Sequence, residues 1–142
     1  MFKVFEYNKT RTMPIAKDES DVRAGDILVL DDGVLRKAGA SDSMTFANAF
    51  TFYFCNEEKK NTIDKNASIQ YVGALPMCEL YWGTLDLGSA ADFADGLTVK
   101  AGVIAVATAG DFVFAQVEKD NGWVADTTET MFTTMIARHE QA

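Results

Sequence analysis

One phrase occurs twice in this chain. Val22-Arg23-Ala24-Gly25-Asp26-Ile27-Leu28-Val29-Leu30-Asp31-Asp32-Gly33 returns as Val99-Lys100-Ala101-Gly102-Val103-Ile104-Ala105-Val106-Ala107-Thr108-Ala109-Gly110, with the shared pattern V-[RK]-A-G-x-I-x-V-x-x-x-G. Each copy reads as a tight turn, a short buried strand and a second turn. Glycine supplies the positive φ that tight turns need, and the β-branched run between the turns favours a pleated strand. A chain built on such phrases folds as compact β-structure.

The rest of the chain agrees. Asp31-Asp32-Gly33 is a hairpin signal, with Val34 to Ala38 as the returning strand. Ile27 to Leu30 is a continuous apolar run, the mark of a strand covered on both faces. Phe50 to Cys55 is aromatic and strand-forming, and Ser68 to Val72 reads as a strand that Gly73 ends. Met77 to Leu87 reads as a strand bent at Gly83. The second copy of the phrase supplies Leu97 to Ala107 as a strand. In Asp111 to Glu118, Val113, Ala115 and Val117 share one face, with Phe112, Phe114 and Gln116 on the other. Asp120-Asn121-Gly122 is a further hairpin turn, before a strand at Trp123 to Asp126 and, at Met131 to Arg138, a strand favoured by its threonines, with a short terminal helix as the alternative. Ala40 to Asn48 is a loop or a single helical turn capped by Ser41 or Ser43. Asn56 to Asn61 is a charged hairpin tip, and Gly88 to Gly96 a loop with at most a helical turn at Ala90 to Ala94. No long amphipathic helix is present, which argues against a parallel sheet with helical crossovers. The expectation is an all-β, single-domain sandwich or small barrel (residues 21–142), preceded by an extended N-terminal arm (residues 1–20) that carries a short strand at Lys3 to Tyr7.

The 142 residues suit one domain, and 48% hydrophobic with 24% charged residues is the composition of a globular protein. No apolar run approaches the roughly 20 residues that a membrane-spanning helix needs. The first residues lack the apolar core and cleavage site of a secretory signal. The two cysteines, Cys55 and Cys78, fit no metal or redox spacing and lie in apolar stretches, so they read as buried free thiols, with a disulfide between them as the alternative.

A net charge of −8 argues against binding to a nucleic-acid backbone. The charge is uneven: Lys3, Lys9, Arg11 and Lys17 against Glu6 alone give residues 1–17 a net +3, which leaves −11 for the rest. A basic arm on an acidic body can dock to an acidic partner; the alternative is a solvated terminus.

No catalytic pattern emerges. The chain has no nucleophile elbow, phosphate-binding loop, dinucleotide fingerprint or zincin motif. The only histidine, His139, is the fourth residue counted back from the C-terminus, a poor place for a general base. Asp31 and Asp32 are explained by their turn, and Glu57 and Glu58 by neighbouring Lys59 and Lys60. Asp92 and Asp95 could hold a cation but lack the ligand ladder of a calcium loop. Tyr81, Trp82 and Trp123 read as core aromatics before they read as a stacking platform. The expectation is a structural or interaction protein rather than an enzyme, without a cofactor, metal or small-molecule substrate.

The phrase Val22 to Val29, together with Asp95-Gly96-Leu97-Thr98-Val99-Lys100-Ala101-Gly102 and Gly110-Asp111-Phe112-Val113-Phe114-Ala115-Gln116-Val117-Glu118, resembles the small decoration (cement) proteins of tailed-bacteriophage heads. That resemblance implies a β-rich, non-enzymatic protein, often a homotrimer. It would be made in the host cytoplasm, sit on the outer capsid surface of the virion and clamp neighbouring major capsid subunits. Lys3, Lys9, Arg11 and Lys17 are the candidate capsid contacts, and deletion of residues 1–17 is expected to weaken capsid binding without loss of the fold. The competing readings are another head or tail structural component, a small ligand-binding β-barrel using Tyr81, Trp82 and Trp123, and a carboxylate hydrolase.

Overall fold

The computed structural model describes residues 3–6, 11–16, 19, 22–56, 70–79, 82–87, 91–119 and 129–142. Its strands are β1 (Lys3–Glu6), β2 (Arg11–Ile15), β3 (Ile27–Asp31), β4 (Val34–Lys37), β5 (Phe52–Cys55), β6 (Gln70–Pro76), β7 (Trp82–Asp86), β8 (Gly96–Lys100), β9 (Val103–Val106), β10 (Phe112–Lys119) and β11 (Glu129–Glu140). A single 3₁₀ turn at Ala49–Thr51 precedes β5. The all-β expectation holds, and both anticipated architectures occur in one molecule. Five strands close a barrel in the order β2-β4-β3-β5-β6, and six form a sheet in the order β1-β7-β11-β10-β8-β9.

Alternation along three barrel strands explains how the two parts join. In β3, Leu28 and Leu30 belong to the barrel interior, while Ile27 and Val29 belong to a second core. β5 divides in the same way: Tyr53 and Cys55 point inward, Phe52 and Phe54 outward. In β6, Val72 and Ala74 are inside, and Leu75 is on the other side, followed by Met77 just past the strand end. Successive side chains on a strand face opposite ways, so a continuous apolar run serves two cores at once. The outward set packs against Leu97, Val99, Phe112, Phe114, Val117 and Phe132 of the sheet. Phe54, fully buried, meets the rings of Phe114 and Phe132 at 6.1 and 6.0 Å between centroids. Burying one such side chain contributes about 2–3 kcal/mol.

The barrel interior is filled by Ile15, Val22, Leu28, Leu35, Tyr53, Cys55, Val72 and Ala74. The two cysteines are free and buried in different cores, as the sequence led us to expect.

Four local expectations need correction. Within residues 1–20, expected as an extended arm, the described strands pair with the body: β1 with β7 in the sheet, and β2 with β6 and β4 in the barrel. Only Met13 and Ile15 of β2 face the core, so its apolar signal is one-sided and short. Gly73 does not end β6; it pairs with Thr12 in mid-strand, and its carbonyl accepts from the Asn56 N–H at 2.9 Å. Residues 77–79 turn rather than extend, and the strand begins at Trp82. Leu97 to Ala107 is two strands, because Ala101 and Gly102 adopt φ of 51° and 79° and form a hairpin turn between β8 and β9. The hairpin at Asp32 and Gly33, with φ of 50° and 82°, is as expected. The expected charged tip after Asn56, the turn at Asp120-Asn121-Gly122 and the strand from Trp123 lie outside the described residues.

Candidate interaction surface

The acidic residues of the body act first on their own backbone. In four places a residue donates its N–H to the carboxylate three positions ahead, while that aspartate's N–H returns to the first residue's carbonyl. The pairs are Arg23 with Asp26, Gly39 with Asp42, Asp92 with Asp95, and Thr108 with Asp111, with N–H to carboxylate distances of 2.9, 2.7, 2.9 and 2.7 Å. Three of these turns lead directly into β3, β8 and β10. The A-G-D triplets at 24–26 and 109–111 are the sequence trace of two of them. Asp92 and Asp95 are therefore partners in a turn, and among the described residues no group of three or more His, Cys, Asp or Glu gathers as a metal site.

Two aspartates do more. Arg36 on β4 donates to Asp42 from both terminal guanidinium nitrogens, at 2.7 and 2.9 Å, and to Asp31 from Nε at 3.0 Å. The Arg36 hydrogen bonds hold the Asp42 carboxyl below the usual carboxylate range; burial opposes them, and the Gly39 N–H adds a smaller lowering effect. Asp42 raises the Arg36 pKa further, as does Asp31. The loop so braced seats the β8–β9 hairpin. Gly102 donates its N–H to the Asp42 carbonyl, Ala101 to the Ser43 hydroxyl and Met44 to the Val99 carbonyl, at 2.8, 3.0 and 2.9 Å. Lys100 binds Asp111 at 2.7 Å and Thr108 at 3.0 Å, and with the Thr108 N–H it pushes the Asp111 carboxyl down to about 2.

Of the four basic residues expected to contact a partner, the described structure places Lys3 and Arg11. Lys3 lies on β1 in the sheet, opposite Thr84. Arg11 lies on β2 in the barrel and pairs with Glu79 at 2.5 Å. Lys9 and Lys17 lie outside the described residues. His139 is exposed on β11 and pairs in register with Val113; just beyond it, Gln141 exchanges backbone hydrogen bonds with Gly110 and Asp111. Asp31 and Asp32 occupy the β3–β4 turn as expected. Trp82 is placed on β7, while Tyr81 and Trp123, like Glu57 and Glu58, lie outside the described residues.

Sequence reasoning missed the Arg36 brace, whose signal was an arginine set between two aspartates on either side of a hairpin. It also missed the exposed apolar positions Phe50, Tyr71, Phe93 and Val103, two of which, Phe93 and Val103, are 70% and 61% exposed. Comparison with protein-family models finds no match, and comparison with curated proteins finds none either.

Proposed function

We propose that this chain is a structural component of a tailed-bacteriophage head: a decoration protein that binds the outer capsid surface as a homotrimer and stabilises contacts between major capsid subunits. The observation that carries this reading is the body itself. A filled barrel and a six-stranded sheet share one apolar core, and the aspartates at 26, 42, 95 and 111 are engaged in turns that fix the loops. Such a body works through shape and repetition. The segments that resemble decoration proteins contribute to two of its core strands: Val22 to Val29 forms the entry into β3, and Gly110 to Glu118 forms β10 with its preceding turn. A trimer at a threefold position makes equivalent contacts whose strengths combine through effective concentration.

The ligand-binding alternative is less well supported, because the barrel interior is occupied by eight buried side chains. The basic residues remain candidate capsid contacts, with Lys3 on β1 and Arg11 on β2. The test is co-sedimentation of the purified protein with undecorated heads. Saturable binding and greater resistance of the heads to heat are expected; no binding at saturating concentration contradicts the reading. Replacing Lys3, Lys9 and Lys17 together with Gln spares the β2 strand and the Arg11–Glu79 pair. It should weaken head binding more at low than at high salt.

A further inference from the structure

The sheet ends on two edges that are built differently. β1 carries Lys3 and Glu6, and its register with β7 is irregular between Val4 and Glu6. Charges and irregularities of this kind keep an edge from pairing with other chains. β9 has none of them. From Ala101 to Gly110 there is neither a charged residue nor a proline, and the ladder with β8 runs from Lys100↔Val103 to Leu97↔Val106 without a shift. Val103 is 61% exposed.

The hairpin geometry fixes which backbone groups are available. In a hairpin with a two-residue turn, the residues flanking the turn exchange both hydrogen bonds, and the pattern then alternates. Val103 and Ala105 therefore direct their N–H and C=O toward β8; Ala107 continues the alternation, its N–H reaching the Gly96 carbonyl at 2.8 Å. Ile104 and Val106 direct theirs outward, past the end of the sheet.

We propose that β9 is a contact strand between two copies of this chain, pairing antiparallel with β9 of a second copy about a twofold axis at Ala105. This register sets Ile104 opposite Val106 of the second copy, and Val106 opposite its Ile104. All the outward N–H and C=O groups of both strands are then satisfied. It also keeps each residue on the same face as its opposite number, so Ile104 and Val106, which pack at the margin of the shared core, meet their like. A register centred on Ile104 would pair Val106 with Gly102, whose N–H is already held by Asp42.

Charge favours a second copy over another kind of strand. Two molecules of net charge −8 repel, but this segment is uncharged, and the charged residues flanking it, Lys100 and Asp111, neutralise each other at 2.7 Å. A charged partner strand would find no complement here. The contact is short compared with a standard interface of about 800 Å² per partner. It is therefore weak in dilute solution and gains strength where copies are held close together, as in an array. It is independent of a threefold contact: a monomer carrying it doubles in mass, and a trimer, with three such edges, associates further.

The test uses the full-length chain. In this register the two Ala105 residues face each other as a non-hydrogen-bonded pair, with Cα atoms about 4.5 Å apart, within disulfide reach. Val103 lies about 14 Å from its counterpart, outside that reach. Ala105→Cys should form an intermolecular disulfide under mild oxidation much faster than Val103→Cys at the same concentration. Ile104→Pro removes one outward N–H at an edge position where proline is tolerated. It should abolish concentration-dependent doubling of mass in sedimentation equilibrium while the circular dichroism spectrum is retained. Equal cross-linking of the two cysteine variants would overturn the proposal, as would unchanged association of a folded Ile104→Pro protein. If Ile104→Pro does not fold, the cross-linking contrast decides alone. No head is present in the assay, so its outcome is separate from that of head binding.

Discussion

An aspartate in this protein is first a turn residue and only then a surface charge. Asp42 shows this most fully, with a side chain only 11% exposed that accepts from Arg36 and from the Gly39 N–H. Asp42→Ala should lower stability by about 2 kcal/mol, because a charge-assisted hydrogen-bond set is lost and Arg36 keeps only Asp31. Urea unfolding of Asp42→Ala, Arg36→Ala and the double variant measures this. The two losses should be strongly non-additive, and simple additivity would contradict the brace. Asp111 provides a pH test. Its folded-state pKa is about 2, depressed chiefly by Lys100, against an ordinary value of 3.8. A depressed carboxylate pKa adds stability that is complete above the unfolded-state value and disappears as pH falls through the folded-state one. The urea midpoints of the wild type and Asp111→Asn should therefore differ most above pH 4 and converge as pH falls toward 2. A constant offset from pH 5 to pH 2 would count against the Lys100 pairing. Glycine positions separate in the same residue-level way. Gly33→Ala incurs only the cost of a left-handed residue, about 1–2 kcal/mol, since nothing lies within 4 Å of the added methyl. Gly102→Ala meets the Gly39 carbonyl at 2.7 Å as well and should be the more destabilising of the two.

Single elements show where the sequence was legible and where it was not. β3 was legible because both of its faces are apolar, and the hairpin to β4 because Asp32-Gly33 suits positive φ. β2 was hidden because Arg11 and Thr12 are exposed and Pro14 cannot donate a ladder bond, leaving Met13 and Ile15 as its only apolar contribution. The break within Leu97 to Ala107 was written in the sequence, since Ala101-Gly102 repeats the Ala24-Gly25 turn, but the surrounding β-branched residues masked it. The edge strand proposed as a contact was not legible. It depends on which strand ends the sheet, and that is set by long-range pairing that no local pattern encodes. The place of β2 reverses one sequence-based expectation: deletion of residues 1–17 now removes a barrel strand that carries the buried Ile15 and its five pairings with β6. The truncated protein should lose cooperative unfolding or unfold at a much lower urea concentration. A wild-type melting curve after that deletion would contradict the closed barrel.

The molecule as a whole is held by a core to which both modules contribute. Leu28→Ala lies in the barrel interior and Phe132→Ala in the sheet, and each should cost about 2–5 kcal/mol. Because Phe54 and its neighbours link the two modules, both variants should shift one common transition seen alike by fluorescence and far-ultraviolet circular dichroism. A body packed in this way suits a role in which position and copy number matter, which is the reading proposed for it. The most direct test is cryo-electron microscopy of undecorated tailed-phage heads incubated with the purified protein. The account predicts new density on the outer surface at threefold and quasi-threefold positions, fitted by three copies of the barrel-and-sheet body. Heads that remain bare at saturating protein concentration would contradict it.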